Sequence, residues 1–148
     1  MNPVLTIHPD LNVDFSVSQI IRLAKQYASD LQNYSNQDFF TFYNYVRELP
    51  YIPDPKGKET ISRPAYTVNQ DWKGCRDCDD KTVLIGAFCE LKKIPWRVVV
   101  VGVREYPHHV YPEIMHLGKW TQSDATYPDR CFFGKSLYVE KYRKVYDK

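Results

Sequence analysis

The sequence lacks an apolar run long enough to cross a membrane as a helix, which needs about 20 consecutive apolar residues. Its first residues, MNPVLTIHPDL, also lack a basic stretch followed by a long apolar core, so no secretory signal is predicted. We therefore expect no membrane partner and a chain that folds in the reducing cytoplasm.

A strong excess of charge of either sign is also missing. The chain has 20 basic and 18 acidic residues, a net charge of +2, and no basic stripe interleaved with aromatic residues. Nucleic acid is therefore not an expected partner. No internal repeat or low-complexity segment is visible. At 148 residues and 43% hydrophobic content, the chain is predicted to form one globular domain with a real core.

Cysteine is scarce, with only four residues in the chain: Cys75, Cys78, Cys89 and Cys131. In a reducing compartment they are expected to be thiols rather than a disulfide framework. Two of them form the stretch GCRDC at residues 74–78. The pair Cys75 and Cys78 could be half of a zinc site, a redox pair, or a nucleophile with a second thiol beside it.

Apolar periodicity predicts an α+β fold, with helices first and a small antiparallel sheet afterwards. Residues 4–7 are a candidate strand. A first helix is expected to start at Ser16, which makes a capping-box pattern with Gln19, and to reach Leu31. A second helix is expected before Pro50, capped by Ser35 or Asn36. Residues 50–74 are rich in proline and are predicted to be a surface arm leading into the site.

The second half of the chain carries the stronger patterns. Residues 79–93 are almost wholly apolar, which predicts a buried central helix with close packing at Gly86. A core strand is predicted over 96–103, followed by a hairpin of 108–115 and 119–124 around residues 117–118. Pro112 indicates a free side on the first hairpin strand. The tail from Cys131 onward is ambiguous; Tyr138, Tyr142 and Val145 would share one helical face.

A thiol acyl-transfer site needs a thiolate, a base and a group that orients the base. Cys78 precedes the buried helix, whose positive end favours a thiolate, although Asp79 and Asp80 oppose it. A lowered thiol pKa would therefore require a nearby imidazolium. The backbone N–H of Cys78 is a candidate oxyanion donor. Trp72 and Gln70 are candidates for the second donor because they are near in sequence.

The hairpin offers the base and its partner. With a loop of two or four residues, Asp124 lies across from residue 109 or 111, and those two residues share a face of the strand. Asp124 is then expected to reach His109, while His108 points to the opposite face. With a three-residue loop the parity reverses and His108 becomes the partner. We favour His109.

Three motifs in this order carry a resemblance to a known family: GCRDCDDKTVLIGAFCELKKIPWRVVVVG, then HHVYPEI, then GKWTQSDATYP. They resemble the transglutaminase-like superfamily of papain-like folds, in which a Cys opens a helix, a His heads a strand and an Asp follows a Trp. Small transglutaminase-like proteins of phages and prophages are the most similar, and residues 59–68 resemble the segment before their Cys. Lys93 departs from the Gly of the family, and Cys75 is an extra thiol.

The resemblance covers residues 59–128 and implies one transglutaminase-like domain over 1–148. It implies that Cys78, His109 and Asp124 form a catalytic triad without a cofactor or metal. The reaction would be acyl transfer from a peptide or protein amide, either to water, as in a cysteine peptidase or amidase, or to an amine. A phage origin would add phage structural proteins as partners and association with the virion.

Two other classes of function stay open. One is a non-catalytic phage assembly or binding protein that keeps the fold. The other is a CxxC redox or zinc-binding module. A zinc site is disfavoured because Cys89 falls within the buried helix, Cys131 stands alone, and His108 and His109 are adjacent rather than spaced. A redox pair is disfavoured because no clear strand leads into Cys75.

Overall fold

The structure is a computed structural model that describes residues 4–7, 13–55 and 59–147. It is a mixed α+β fold. In chain order its elements are β1 (Val4–Ile7), α1 (Val13–Gln26), a 3-10 helix (Ala28–Tyr34), α2 (Phe39–Glu48), β2 (Glu59–Ser62), α3 (Pro64–Thr67), α4 (Cys78–Lys92), β3 (Trp96–Gly102), β4 (His109–His116), β5 (Lys119–Gln122) and β6 (Tyr142–Tyr146). Within the described ranges, no helix has the length and apolar character that crossing a bilayer requires.

Helix α4 lies at the centre of the molecule, as its apolar sequence predicts. Every residue from Asp79 to Cys89 is buried, and α4 contacts α1, α2, the 3-10 helix and β4. A Cβ atom at Gly86 would lie only 2.4 Å from the ring of Trp96. The close packing expected at Gly86 is therefore confirmed, because a larger residue would collide with the first side chain of β3.

The main sheet is antiparallel and has the strand order β5-β4-β3-β6. Leu117 and Gly118 form a two-residue turn with φ angles of 51° and 80°, which is the backbone geometry that suits tight hairpins. The predicted hairpin is confirmed, with His116 opposite Lys119. The prediction from Pro112 that this strand has an unpaired edge is wrong for β4 as a whole, because β4 pairs with β3 on one side and with β5 on the other. Pro112 itself lies one residue past the last β4–β5 pair.

Two predicted helix starts are wrong. Helix α1 begins at Val13, three residues before Ser16, which is buried within the helix and is not its cap. The expected helical run to Leu31 is interrupted after Gln26 and continues as a 3-10 helix. Helix α2 is capped by Asp38, whose carboxylate accepts the N–H of Thr41 at 2.9 Å, rather than by Ser35 or Asn36.

The proline-rich arm and the tail have more regular structure than expected. Residues 59–62 form β2, which pairs with β1 in a separate two-stranded sheet, and α3 follows directly. An isolated bridge between Ile52 and Arg76 ties the arm to the start of α4. In the tail, Tyr142 and Val145 lie in strand β6, which pairs with β3, so the shared helical face is wrong.

Candidate active site

Cys78 is the first residue of α4, and the residue before it caps the helix. The Asp77 carboxylate accepts the N–H groups of Asp79 and Asp80, while the Asp80 carboxylate accepts the N–H of Asp77 in return. Such reciprocal bonds satisfy amides that a helix leaves unpaired at its start. Among the described residues, none accepts the N–H of Cys78. That amide is therefore available to a ligand.

His109 and Asp124 form the closest side-chain pair of the site. The Nε2 atom of His109 lies 2.6 Å from Oδ2 of Asp124, and both side chains are buried. The contact follows from the two-residue turn, which sets the register that brings the end of β5 back beside the start of β4. His108 is not the partner, because its Nε2 accepts the N–H of Val103 at 3.0 Å.

The Asp124 carboxylate is fixed by further hydrogen bonds. Its Oδ1 accepts the hydroxyl of Thr126 at 2.6 Å and the N–H of Thr126 at 3.1 Å. The hydroxyl of Tyr43 donates to the Asp124 carbonyl at 2.6 Å. Burial alone would raise the pKa of Asp124, but the bonds from His109 and Thr126 outweigh it and lower the pKa. Asp124 is thus an ionised, oriented partner for the imidazole.

Cys78 and His109 face one pocket, and strand β4 contacts Cys78 through the residue after His109. Both residues line the pocket, and the backbone N–H of Val110, next to His109, donates to the Cys78 sulfur. Asp124 occupies Nε2 of the imidazole, so Nδ1 is the nitrogen left to accept a proton. The arrangement brings together the three residues that the sequence singles out.

The balance at Cys78 lies against a thiolate. Burial, together with the carboxylates of Asp79 and Asp77, raises the pKa of the Cys78 thiol, and the Val110 N–H offsets this only in part. The favourable effect of the helix start is outweighed first by burial and then by the acidic side chains, whose opposition the sequence indicates at Asp79. The resting group is a protonated thiol, so a base must take its proton during attack.

Cys75 lies in a different environment from Cys78. Its thiol donates to the Asp54 carboxylate and also contacts Thr60, and burial together with Asp54 raises its pKa to about 12. At neutral pH it is a bound thiol and a poor nucleophile, because the thiolate is the reactive form. The structure places this secondary thiol on the Asp54 side of α4.

Neither Trp72 nor Gln70 is placed as an oxyanion donor. The indole N–H of Trp72 donates to the Cys75 carbonyl at 3.2 Å, and its ring packs against Gly74. Gln70 is exposed in the turn after α3. Neither residue lines the pocket that holds Cys78 and His109. Proximity in sequence is misleading here because the indole of Trp72 folds back onto its own loop and does not extend toward the pocket.

Three tyrosines near the site are not marked by any sequence pattern. The ring of Tyr127 stacks on His109 at 6.4 Å, and Tyr138 meets His109 edge-on at 5.3 Å. The hydroxyls of Tyr138, Tyr127 and Tyr51 form a hydrogen-bonded chain. Burial raises the pKa of all three. Tyrosine is abundant in the sequence, but only the fold shows which of the 12 tyrosines reach the site.

A buried lysine also contributes to the site, and no sequence pattern reveals it. The Nζ of Lys81, one turn into α4 from Cys78, donates to the carbonyls of Leu49 at 2.7 Å, Thr126 at 2.9 Å and Arg47 at 3.3 Å. Burial lowers its pKa to about 8. Through Thr126, this side chain ties the helix of Cys78 to the loop of Asp124.

The described residues include one group of side chains with the spacing of a metal site. Carboxylate oxygens of Asp54, Asp77 and Asp79 lie within 4.8 Å of one another. The group contains no cysteine: Cys89 lies in the core, and the Cys131 sulfur accepts the N–H of Tyr127 at 3.3 Å. These contacts give no support to a CxxC zinc site.

Comparison with known proteins identifies no relative of this chain. No protein-family model matches the chain, and no match is found among curated proteins or among solved structures.

Proposed function

We propose that this protein is a thiol-dependent acyl-transfer enzyme of transglutaminase-like, papain-related fold, acting on a peptide or protein amide. The observation that carries the proposal is the buried pair of His109 and Asp124, 2.6 Å apart, at the pocket that also contains Cys78. A nucleophile, a base and a group that orients the base are the parts this chemistry needs.

In the first step, the Cys78 sulfur attacks the carbonyl carbon of the amide while its proton passes to Nδ1 of His109. The resulting imidazolium is stabilised by Asp124, whose lowered pKa keeps it ionised. The oxygen of the tetrahedral intermediate carries the negative charge. The N–H of Cys78, which has no acceptor among the described residues, is a suitable donor to that oxygen.

The intermediate collapses when the C–N bond breaks and His109 returns its proton to the leaving amine. This leaves a thioester on Cys78. In the second step, water or an amine attacks the thioester, loses a proton to His109, and releases the acyl product as the thiol is restored. Water makes the protein a peptidase or amidase, and an amine makes it a transglutaminase.

The raised pKa of Cys78 determines how the base is used. Because the thiol is protonated at rest, attack and proton transfer to His109 must be coupled. General-base assistance of this kind is worth about 10²–10⁴-fold in rate. Activity should therefore depend strongly on His109.

An activated ester tests the proposal without knowledge of the natural substrate. The protein is incubated with p-nitrophenyl acetate, and released nitrophenol and the acetylated cysteine are measured by absorbance and peptide mass spectrometry. We expect acetyl on Cys78, turnover by water, and no acylation in Cys78→Ser, whereas Cys75→Ser behaves like the wild type. Adding a primary amine and measuring its acetyl amide separates transfer from hydrolysis. Acetylation spread over several cysteines, unaffected by Cys78→Ser, would contradict the proposal.

A further inference from the structure

We infer that the pocket beside Cys78 binds a single branched aliphatic side chain of the substrate, next to the carbonyl that Cys78 attacks. The inference rests on the proposed function and specifies its substrate class. The pocket lies between the first turns of α1, the start of α4 and the neighbouring strands β3 and β4. No sequence motif marks it.

The walls of the pocket are mainly aliphatic. Helix α1 contributes one side, strands β3 and β4 contribute another, and the loop between those strands contributes the rim. The apolar lining consists of Val13, Val17, Ile20, Val100, Pro107 and Val110. Such a surface favours an apolar group, since each buried CH₂ contributes about 0.8 kcal/mol.

The size of the pocket fits one side chain rather than a whole ligand. Its volume is about 230 Å³, which is below the roughly 300–1,000 Å³ of sites for drug-sized molecules. Because Cys78 and His109 line the same space, an occupant of the pocket lies next to the reacting atoms. The pocket therefore sets which residue flanks the amide that is attacked.

Charge in the pocket selects against an acidic group. The carboxylate of Asp79 lines it and is close enough to raise the pKa of the Cys78 thiol. An anionic side chain would lose its water and meet this carboxylate at short range. A neutral aliphatic group avoids both costs.

The rim of the pocket is held in place by local contacts. The Nε2 atom of His108 accepts the N–H of Val103, and the N–H of His108 donates to the Val101 carbonyl at 2.9 Å. A Cβ at Gly102 would lie 1.9 Å from the Tyr106 carbonyl oxygen, so only glycine allows this close approach. The loop that carries Pro107 is thus braced at both ends.

Alkylation of Cys78 by a series of iodoacetamides tests the inference. In each reaction the sulfur forms a bond to the CH₂ carbon, iodide leaves, and the thiol proton passes to His109. The probes are iodoacetamide, its N-isobutyl form and its N-carboxymethyl form, with rates at Cys78 measured by mass spectrometry and divided by the rates with glutathione. We expect the N-isobutyl probe to react about tenfold faster than iodoacetamide, and the N-carboxymethyl probe to react more slowly.

A pair of valine variants locates the effect in the pocket. Val13, the first residue of α1, is partly buried and lines the pocket, so Val13→Phe should fill it. The ratio of the N-isobutyl rate to the iodoacetamide rate should then be close to one. Val139 is 82% exposed and lies outside the pocket, so Val139→Phe should leave the ratio unchanged. The wild-type series decides the question by itself if Val13→Phe fails to fold.

The same probes separate this inference from the proposed function. If His109→Ala lowers all rates and the N-isobutyl preference is absent from the wild type, the triad stands and the pocket assignment is wrong. If the preference is present but His109→Ala changes no rate, the pocket binds aliphatic groups and the triad is wrong. A wild type that reacts fastest with the N-carboxymethyl probe also overturns the inference.

Discussion

Two buried aspartates near Cys78 have opposite electrostatic behaviour. Asp124, after β5, is 3% exposed, and Asp77, before α4, is 7% exposed. The pKa of Asp124 is lowered because His109 and Thr126 donate to it despite its burial. The pKa of Asp77 is raised by burial and by the nearby carboxylates of Asp80 and Asp54.

The difference shows that burial alone does not determine the role of a carboxylate. Asp124 has donors on both oxygens and remains charged, as an orienting group in acyl transfer must. Asp77 lies beside other carboxylates and favours a proton, so it caps α4 through its hydrogen bonds and is not a charge partner. Burial and, to a smaller extent, the acidic start of α4 keep the Cys78 thiol protonated.

Removing the Asp124 carboxylate should have the largest effect. Asp124→Ala leaves His109 buried without its partner and is expected to lower the free energy of unfolding by about 3 kcal/mol. The loss should be measured by urea denaturation at pH 7. Asp129→Ala, at a side chain that is 83% exposed, is the control and should change stability by less than about 0.5 kcal/mol. An equal effect of the two substitutions would remove the distinction drawn for Asp124.

The Asp124 loop can also be weakened from α4. Lys81→Met removes three hydrogen bonds and leaves the carbonyls of Arg47, Leu49 and Thr126 without this donor, which should cost about 2–3 kcal/mol. Lys92→Met is the control: Lys92 lies on the exposed end of the same helix and donates to one carbonyl. Its loss should stay below about 1 kcal/mol in the same denaturation assay. If Lys81→Met leaves the free energy of unfolding unchanged, this lysine does not hold the Asp124 loop in place.

Thr126→Val tests the bonds that keep Asp124 ionised. The valine keeps the shape of the side chain and loses the 2.6 Å bond to Oδ1, so stability at pH 7 should fall by about 1 kcal/mol. The contribution of Asp124 is complete above the pKa of an unfolded aspartate, about 3.9, and is lost as pH falls through the lower folded value. As the pH is lowered, the free energy of unfolding of Thr126→Val should therefore begin to fall at a higher pH than that of the wild type. Thr121→Val, at an exposed hydroxyl, should match the wild type.

Neutralising Asp77 should have the smallest effect, and one of opposite sign. The pKa of Asp77 is raised in the folded state, so the folded protein retains a proton that the unfolded chain loses above about pH 4. The free energy of unfolding of the wild type therefore falls as pH rises from about 4 towards the raised pKa. Asp77→Asn keeps a good cap and removes that proton uptake. We expect a flatter pH dependence between pH 5 and 7.5, with a gain of up to about 1 kcal/mol at the upper end.

The control for Asp77 is the cap of α2. Hydrogen bonds from Thr41 lower the pKa of Asp38, so Asp38→Asn should not stabilise the protein as pH rises. Urea midpoints at three pH values measure both variants. If Asp77→Asn loses stability with rising pH as steeply as the wild type, Asp77 is not the group whose raised pKa causes the pH dependence.

The parts of the fold predicted from the sequence are those set by local patterns. The turn at Leu117 and Gly118 fixes the hairpin register, and this register brings His109 to Asp124. The buried character of α4 likewise follows from its apolar composition. These features depend on residues that are close in sequence.

The parts that could not be predicted depend on contacts between distant segments. The tail forms β6 because it pairs with β3, although its spacing also allows a helix. Tyr138 reaches His109 from a loop far away in sequence, and the hydrogen-bond partners of the Lys81 side chain lie 32 to 45 residues from it. The pKa of Cys78 depends on the burial that the whole fold imposes, and the position of Cys78 at a helix start does not reveal that burial.

The most direct test of the triad is the rate of Cys78 acylation by p-nitrophenyl acetate in the wild type and in His109→Ala. Time-resolved mass spectrometry at pH 7.5 measures the acetylated fraction, with circular dichroism to show that the variant is folded. We expect acylation to be at least about 100-fold slower in His109→Ala, because the protonated thiol then has no base. Equal rates in the two proteins would contradict a catalytic role for His109 and, with it, the proposed function.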